Sequence, residues 1–294
     1  MNIKEFTKKV RDEISHILDK DVGTLVVDKF NGVKWHGIVI KDENGNDSPT
    51  FYMDPYLDTF SETGDWNFVI QQILNQYHSA SFPKSIDTEW YKDFDNVKDL
   101  IFSRIINYEI NTASLVDIPY TRYLDFAIVY CIRCIGTDFY TGDYLIRNDL
   151  LTYWNLTVAD IDRLARENTP RLFPLRIESV AEILGLLYRA DNGFPIMEDP
   201  IDLHFMSNTK SLFGAATILY ENCLKEYASD IGKDLIILPS SVHEVLLLPY
   251  DDNADIGTFK EMVYDVNRTE VNRVDFLSDN VYLYRRDTDL LEIV

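Results

Sequence analysis

The stretch Leu238-Pro-Ser-Ser-Val-His-Glu-Val245 gathers more reactive groups than any other part of the chain. Two hydroxyls, an imidazole and a carboxylate fall between two apolar runs. Ser240 or Ser241 could act as a nucleophile with His243 as its base and Glu244 alongside. In a hairpin turn such side chains are local neighbours. The sequence, however, supplies no oxyanion donors or orienting third group at a known spacing. The same hydroxyls can cap the backbone of a turn instead, and the loop can also serve to recognise a partner.

Cys131 and Cys134 form a C-x-x-C, and Cys223 is the third cysteine. The pair reads either as half a zinc site or redox couple, or as two buried thiols of an apolar strand. Zinc needs about four ligands, and no second C-x-x-C and no H-x-x-x-H is present. The thiols are therefore expected to be core residues, with no metal and no cofactor. Asp42-Glu-Asn-Gly-Asn-Asp47 resembles a calcium loop only superficially, since it lacks the ligand order and the closing bidentate Glu. It reads as a polar hairpin turn. Phosphate-cradling glycine loops are absent from a chain with 12 Gly. Arg122, Arg133, Arg171 and Arg176 stand in apolar or proline-flanked surroundings, where they can pair with carboxylates or line an anion site.

The charge balance limits the partners. With 49 acidic and 28 basic residues the chain carries −21 at pH 7, which repels phosphate backbones and anionic lipid. Between residues 42 and 65 seven carboxylates (Asp42, Glu43, Asp47, Asp54, Asp58, Glu62, Asp65) occur with no Lys or Arg. Such a run is either a solubilising surface or a face that docks on a basic protein partner. No run of about 20 apolar residues is present to span a bilayer, and the first residues form no signal-peptide core. A cytoplasmic location is expected, with no membrane and no direct nucleic-acid binding.

The elements that must position these groups follow from periodicity. Ile3, Phe6, Val10, Ile14, Ile17 and Leu18 share one face of a helix over residues 2–19, with Gly23 as a stop. Strands are expected over 24–30, 34–41 and 50–53, the first two joined by Asn31-Gly32. Asp65 caps a helix running to Tyr77. Further strands are expected at 97–107, 124–135 and 144–146, a helix from Thr157 to about Asn168, and a helix opened by Ser179-Val-Ala-Glu182. In the last third the expected order is strand 214–220, helix 221–231, strand 234–238, strand 244–248, helix 258–267 and strand 281–285. The last helix should turn Phe259, Met262, Val263 and Val266 inward. The whole reads as α+β: an N-terminal helix, antiparallel meander and helices over 1–190, and a βαββαβ ferredoxin-like sandwich over 205–294. The tight join lies around Asp191-Asn-Gly193, Pro195 and Pro200.

Several stretches resemble one family: Ser48-Pro-Thr-Phe-Tyr-Met53, Val97-Lys-Asp-Leu-Ile-Phe102, Ile106-Asn-Tyr-Glu109, Leu124-Asp-Phe-Ala-Ile-Val129 and Glu167-Asn-Thr-Pro170. So do Gly214-Ala-Ala-Thr-Ile-Leu-Tyr220, the Leu-Pro-Ser-Ser-x-His-Glu segment, Met262 to Asn267 and Leu277-Ser-Asp279. The chain is similar over nearly its whole length to the domain-of-unknown-function family DUF5688 of Clostridia. The resemblance implies a bacterial accessory protein, associated with mobile or phage-derived DNA, and transfers no catalytic residue. Two functions remain open. One is a non-enzymatic acidic protein that binds a basic partner, such as a host or defence factor, through the carboxylates of 42–65. The other is a hydrolase or transferase built on the 240–244 turn.

Overall fold

The computed structural model describes residues 1–41, 50–79, 89–135, 141–181 and 202–294. The chain divides into two compact units, Met1–Tyr91 with Cys134–Gly142, and Lys92–Arg133 with Asp143–Val294.

In the first unit, α1 (Ile3–Leu18) opens on a capping box. The Asn2 side chain accepts from the Glu5 N–H, and the Glu5 carboxylate accepts from the Asn2 N–H. The helix ends earlier than a Gly23 stop implies, at Asp19 in the left-handed region (φ 51°). Gly23 lies inside β1 (Val22–Asp28). Asn31 and Gly32 both take positive φ (60° and 67°), the geometry that lets a two-residue turn match strand twist. β2 (Lys34–Ile40) follows, and β3 (Thr50–Tyr52) completes the antiparallel sheet β1-β2-β3. α2 (Asp54–Thr63) and α3 (Trp66–Ser79) follow the sheet. Phe6, Val10 and Ile14 of α1 join Ile38, Ile40, Phe51, Val69, Ile70 and Ile73 in one core. The expected meander behind a helix is thus present.

In the second unit, the short helix α4 (Phe94–Val97) leads to β4 (Ile101–Asn107). β5 (Tyr120–Tyr123) and β6 (Phe126–Ile135) give the antiparallel order β4-β6-β5, and β7 (Thr141–Leu145) also pairs with β6. α5 (Asn148–Tyr153) and α6 (Val158–Leu172) come next. α6 runs past Pro170, where a stop was expected. The proline sits in its last turn, so it removes only one helical hydrogen bond, and the Phe173 N–H still reaches the Thr169 carbonyl at 2.8 Å. Asn168 and Thr169 also bond out of the helix, to the Lys98 carbonyl and the Ser103 N–H, which holds α6 to the entry of β4.

The larger sheet has six strands in the order β13-β12-β10-β11-β9-β8, and every neighbouring pair is antiparallel. Its strands are β8 (Leu175–Ser179), β9 (His204–Asn208), β10 (Leu235–Ser241), β11 (Glu244–Pro249), β12 (Tyr282–Arg285) and β13 (Leu290–Ile293). α7 (Cys223–Ile231) precedes β10 and α8 (Ile256–Thr269) follows β11. The mixed α+β class is as expected, but the ferredoxin-like order is not formed. Its first strand, expected at 214–220, is a 3-10 helix over Gly214–Leu219. This run reads as a strand because it is mostly apolar and ends in Ile218, Leu219 and Tyr220. Residues 214–218 are buried and packed closely: a Cβ on Gly214 would lie 2.0 Å from Ser207 Oγ and 2.4 Å from the His243 carbonyl oxygen. β9 and β13, which the pattern missed, supply strands instead. The join expected around Asp191-Asn-Gly193, Pro195 and Pro200 lies outside the described residues; β8 before it and β9 after it pair in one sheet. Ser179 is the last residue of β8, and most of the helix expected after it lies outside the described residues.

α8 is rotated from the expected face. Val263 and Asn267 are buried, whereas Met262 and Val266 are 49% and 39% exposed. Asn267 turns inward because its amide has partners there, the Ser278 carbonyl and the Asp279 carboxylate.

Gly214→Ala is expected to lower unfolding free energy by about 1–3 kcal/mol, the range for an overpacked core. Urea denaturation measures it, with Val116→Ala at a 73% exposed position as the control.

Candidate functional site: the 240–244 hairpin and the acidic first unit

The 240–244 residues close the β10–β11 hairpin, with a register shift between Pro239 and Ser241. Ser240 and Ser241 therefore end a strand, and Val242 and His243 make the turn. Each polar group has a local partner. Ser240 Oγ donates to Glu244 Oε1 at 3.2 Å, and Ser241 Oγ accepts from the His243 N–H at 3.0 Å. His243 Nδ1 accepts from the Phe213 N–H at 3.2 Å, so the ring proton belongs on Nε2, which faces Asp275 Oδ1 at 3.2 Å. Neither serine hydroxyl bonds a ring nitrogen. The imidazole instead braces Phe213 against Asp275.

What the brace holds is a strained corner. Phe213 has φ 54°, a left-handed conformation costly for a residue with a Cβ. Its N–H is fixed by His243, and the two rings stack at 5.7 Å and 18°. The Val242 N–H and carbonyl bond to Asp275 and Ala215, and the His243 carbonyl accepts from Ser207 Oγ at 2.7 Å. Beyond Phe213 the aromatic contacts continue. Arg104 sits 4.6 Å from its ring centroid, Phe102 stacks on it, Phe173 meets Phe102 at 4.8 Å, and Arg133 lies 4.9 Å from the Phe173 ring.

Cys131 is buried with Phe102 and Phe173. Three residues apart on β6, Cys131 and Cys134 point to opposite faces of the strand and cannot chelate together. Burial pushes the Cys223 thiol up to about 12, with help from Glu226. Of the four arginines with open roles, Arg122 and Arg176 pair with Glu109 and Glu178. Arg133 and Arg171 donate to the carbonyls of Leu172 and Asp99.

Of the seven expected binding carboxylates, Asp42, Glu43 and Asp47 lie outside the described residues. Asp54 accepts from the His36 N–H at 2.7 Å and stands 3.5 Å from His36 Nδ1, which ties α2 to β2. Asp65 accepts from the Phe68 N–H at 2.9 Å and caps α3. Asp58 and Glu62 are different. They are exposed, one turn apart on the same face of α2 as Asp54, and make no hydrogen bond or ion pair among the described residues. The wider acid surplus is not confined here. Residues 1–91 hold 15 of the 49 acidic and 9 of the 28 basic side chains, in proportion to their length.

The first unit also has an open groove of about 580 Å³ that periodicity did not reveal. It is lined by Met1, Lys9, Asp12, Glu13, Phe60 and Trp66. Trp66 Nε1 donates to Glu13, and the Phe60 and Trp66 rings meet at 5.6 Å and 88°. A tryptophan in the first turn of a helix is the one sequence signal that could have pointed to it. No helix among the described residues is long and apolar enough to cross a membrane.

His243→Ala is expected to cost about 1–3 kcal/mol by leaving the Phe213 N–H without its acceptor, whereas Ser240→Ala should change stability by less than about 0.5 kcal/mol. Chemical denaturation separates the two; equal costs would refute the brace. At pH 8 Cys223 should resist alkylation in the folded protein, and peptide mapping after iodoacetamide treatment reads this directly.

Most of the stretches that carried the resemblance lie in the second unit, whereas Thr50–Met53 belongs to the first. Asp125, Asn267, Ser278 and Asp279 form one hydrogen-bonded group, Asn107 donates to the neighbouring Leu277 carbonyl, and Gly214 meets the His243 turn. No curated protein and no solved structure matches the chain. A family model described as a family of unknown function, DUF5688, matches residues 3–286, and the chain belongs to that family.

Proposed function

We propose that this chain is a non-enzymatic binding protein that docks on a protein with a basic surface through the carboxylates of its first unit. The observation that carries the reading is the pair Asp58 and Glu62. Nearby carboxylates are committed to the fold, Asp54 to β2 and Asp65 to α3, while these two face solvent without a partner among the described residues. Held one turn apart on a helix, they present two negative charges at a fixed spacing. Such an arrangement steers a basic partner and sets its register more than it adds raw affinity. The net charge of −21 adds a long-range attraction of the same sign.

The hydrolase or transferase reading has less support. The imidazole that would act as base spends both nitrogens on Phe213 and Asp275, and neither Ser240 nor Ser241 reaches it. A cytoplasmic accessory role against a host or defence factor is consistent with the associations that the family resemblance implies.

Asp58→Lys with Glu62→Lys is expected to release the partner captured by the wild-type protein at low salt, while Ser240→Ala retains it. Wild-type capture should weaken steeply as ionic strength shortens the screening length from about 30 Å at 0.01 M to about 8 Å at 0.15 M. Quantitative co-purification across that salt range is the measurement. Retention by the double lysine variant, or capture indifferent to salt, would overturn the proposal.

A further inference from the structure

The groove between α1 and the α2–α3 corner differs from an ordinary surface depression in its walls. Phe60 and Trp66 stand at right angles, 5.6 Å apart, and Trp66 meets the fully buried Phe6 at 5.6 Å and 81°. The corner is therefore stiff, with two aromatic rings set perpendicular to each other. Glu13 is held beside it by the Trp66 indole N–H, and Asp12 lies one residue away on α1, paired with Arg11. Two perpendicular π-systems with carboxylates at the rim form the arrangement that attracts an organic cation, through the ring quadrupole and through direct charge. The volume of about 580 Å³ leaves room for a long side chain to lie along the rings. Lys9 is the one basic side chain of the lining and opposes a cation.

We infer that the groove lined by Phe60, Trp66, Asp12 and Glu13 receives an arginine or lysine side chain of the protein partner. The inference rests on the docking reading above and names the part of the partner that is gripped. The guanidinium or ammonium group lies against the Trp66 and Phe60 corner, its methylenes run over the apolar floor, and Glu13 and Asp12 accept its N–H groups. The α2 pair Asp58 and Glu62 lies outside the lining, so steering and gripping are carried by different residues.

The test titrates an octa-arginine peptide against the folded chain and follows tryptophan fluorescence, with octa-glutamine as the neutral control. Wild type should bind octa-arginine and ignore octa-glutamine. Glu13→Gln, which keeps the shape of the side chain, should weaken octa-arginine about two- to fivefold, the scale of one exposed charge pair. Trp66→Leu should weaken it about three- to tenfold by calorimetry, within the range of a cation–π contact. Lys9→Ala should tighten it about twofold, a gain that damage to the fold cannot produce. Unchanged affinity in all three variants, or equal binding of octa-glutamine, would overturn the inference. If octa-arginine ignores Trp66 and Glu13 while the Asp58→Lys and Glu62→Lys changes still release the captured partner, the groove inference falls and the docking reading stands. If octa-arginine follows Trp66, Glu13 and Lys9 while partner capture survives the lysine pair, the docking reading falls and the groove remains a cation site.

Discussion

The two sheets of the second unit meet at one half-buried carboxylate. Asp125 sits just before β6, and its two oxygens accept from Ser278 Oγ at 2.6 Å, Asn280 Nδ2 at 2.9 Å and Tyr282 OH at 2.7 Å. A carboxylate partly withdrawn from water is tolerated when its lone pairs are filled by donors, and these donors come from the entry to β12. The two sheets of the unit are thereby joined through a polar bond set, with Phe126 packed on Tyr282 at 5.2 Å beside it. Burial and the Asp125 charge both push the Tyr282 hydroxyl upward, which keeps it protonated and donating. The Asn107 amide bonds the Leu277 carbonyl next to this group, and Asn267 brings α8 to it. Arg268 closes the outer side on Asp279, whose carboxyl it holds below its ordinary value. That pair contributes stability above the usual aspartate range, and the contribution is lost as pH falls through the lowered value.

The 240–244 hairpin obeys the same logic. Groups that look reactive in a list of residues are spent on geometry. His243 braces a left-handed Phe213, and the turn holds the Gly214–Leu219 helix against β9. An imidazole with one nitrogen accepting from a backbone N–H and the other facing a carboxylate is a bridge between segments about 30 residues away on either side in the chain. Freeing it to take a proton from a nucleophile would undo the corner it supports. The first unit assigns its carboxylates in the opposite way. Asp54 and Asp65 build the fold, while Asp58 and Glu62 are left to solvent.

Much of the local structure was legible. α1 and α3 followed from apolar residues at three- and four-residue spacing, and the β1–β2 turn from Asn31-Gly32, because these signals act within a few residues. The run 214–220 was misread because a short, mostly apolar stretch carries no clear period, and its one polar side chain, Thr217, bonds back to the Gly214 carbonyl. The face of α8 was misread because Asn267 reads as polar and so as solvent-facing. Its inward placement requires the Ser278 carbonyl and Asp279, which the chain delivers only after folding.

The sequence by itself determined the class, the acidity and the first unit's meander, since these follow from composition and from periodicity among near neighbours, and its motifs carried the family resemblance. Tertiary structure alone decided the six-stranded sheet, the partners of the 240–244 residues and the aromatic groove. Each of these depends on contacts between segments far apart in the chain: β8 with β9, His243 with Phe213 and Asp275, Glu13 with Trp66. Whether a histidine is a base or a brace is set by what meets its two nitrogens, and no spacing along the chain encodes that.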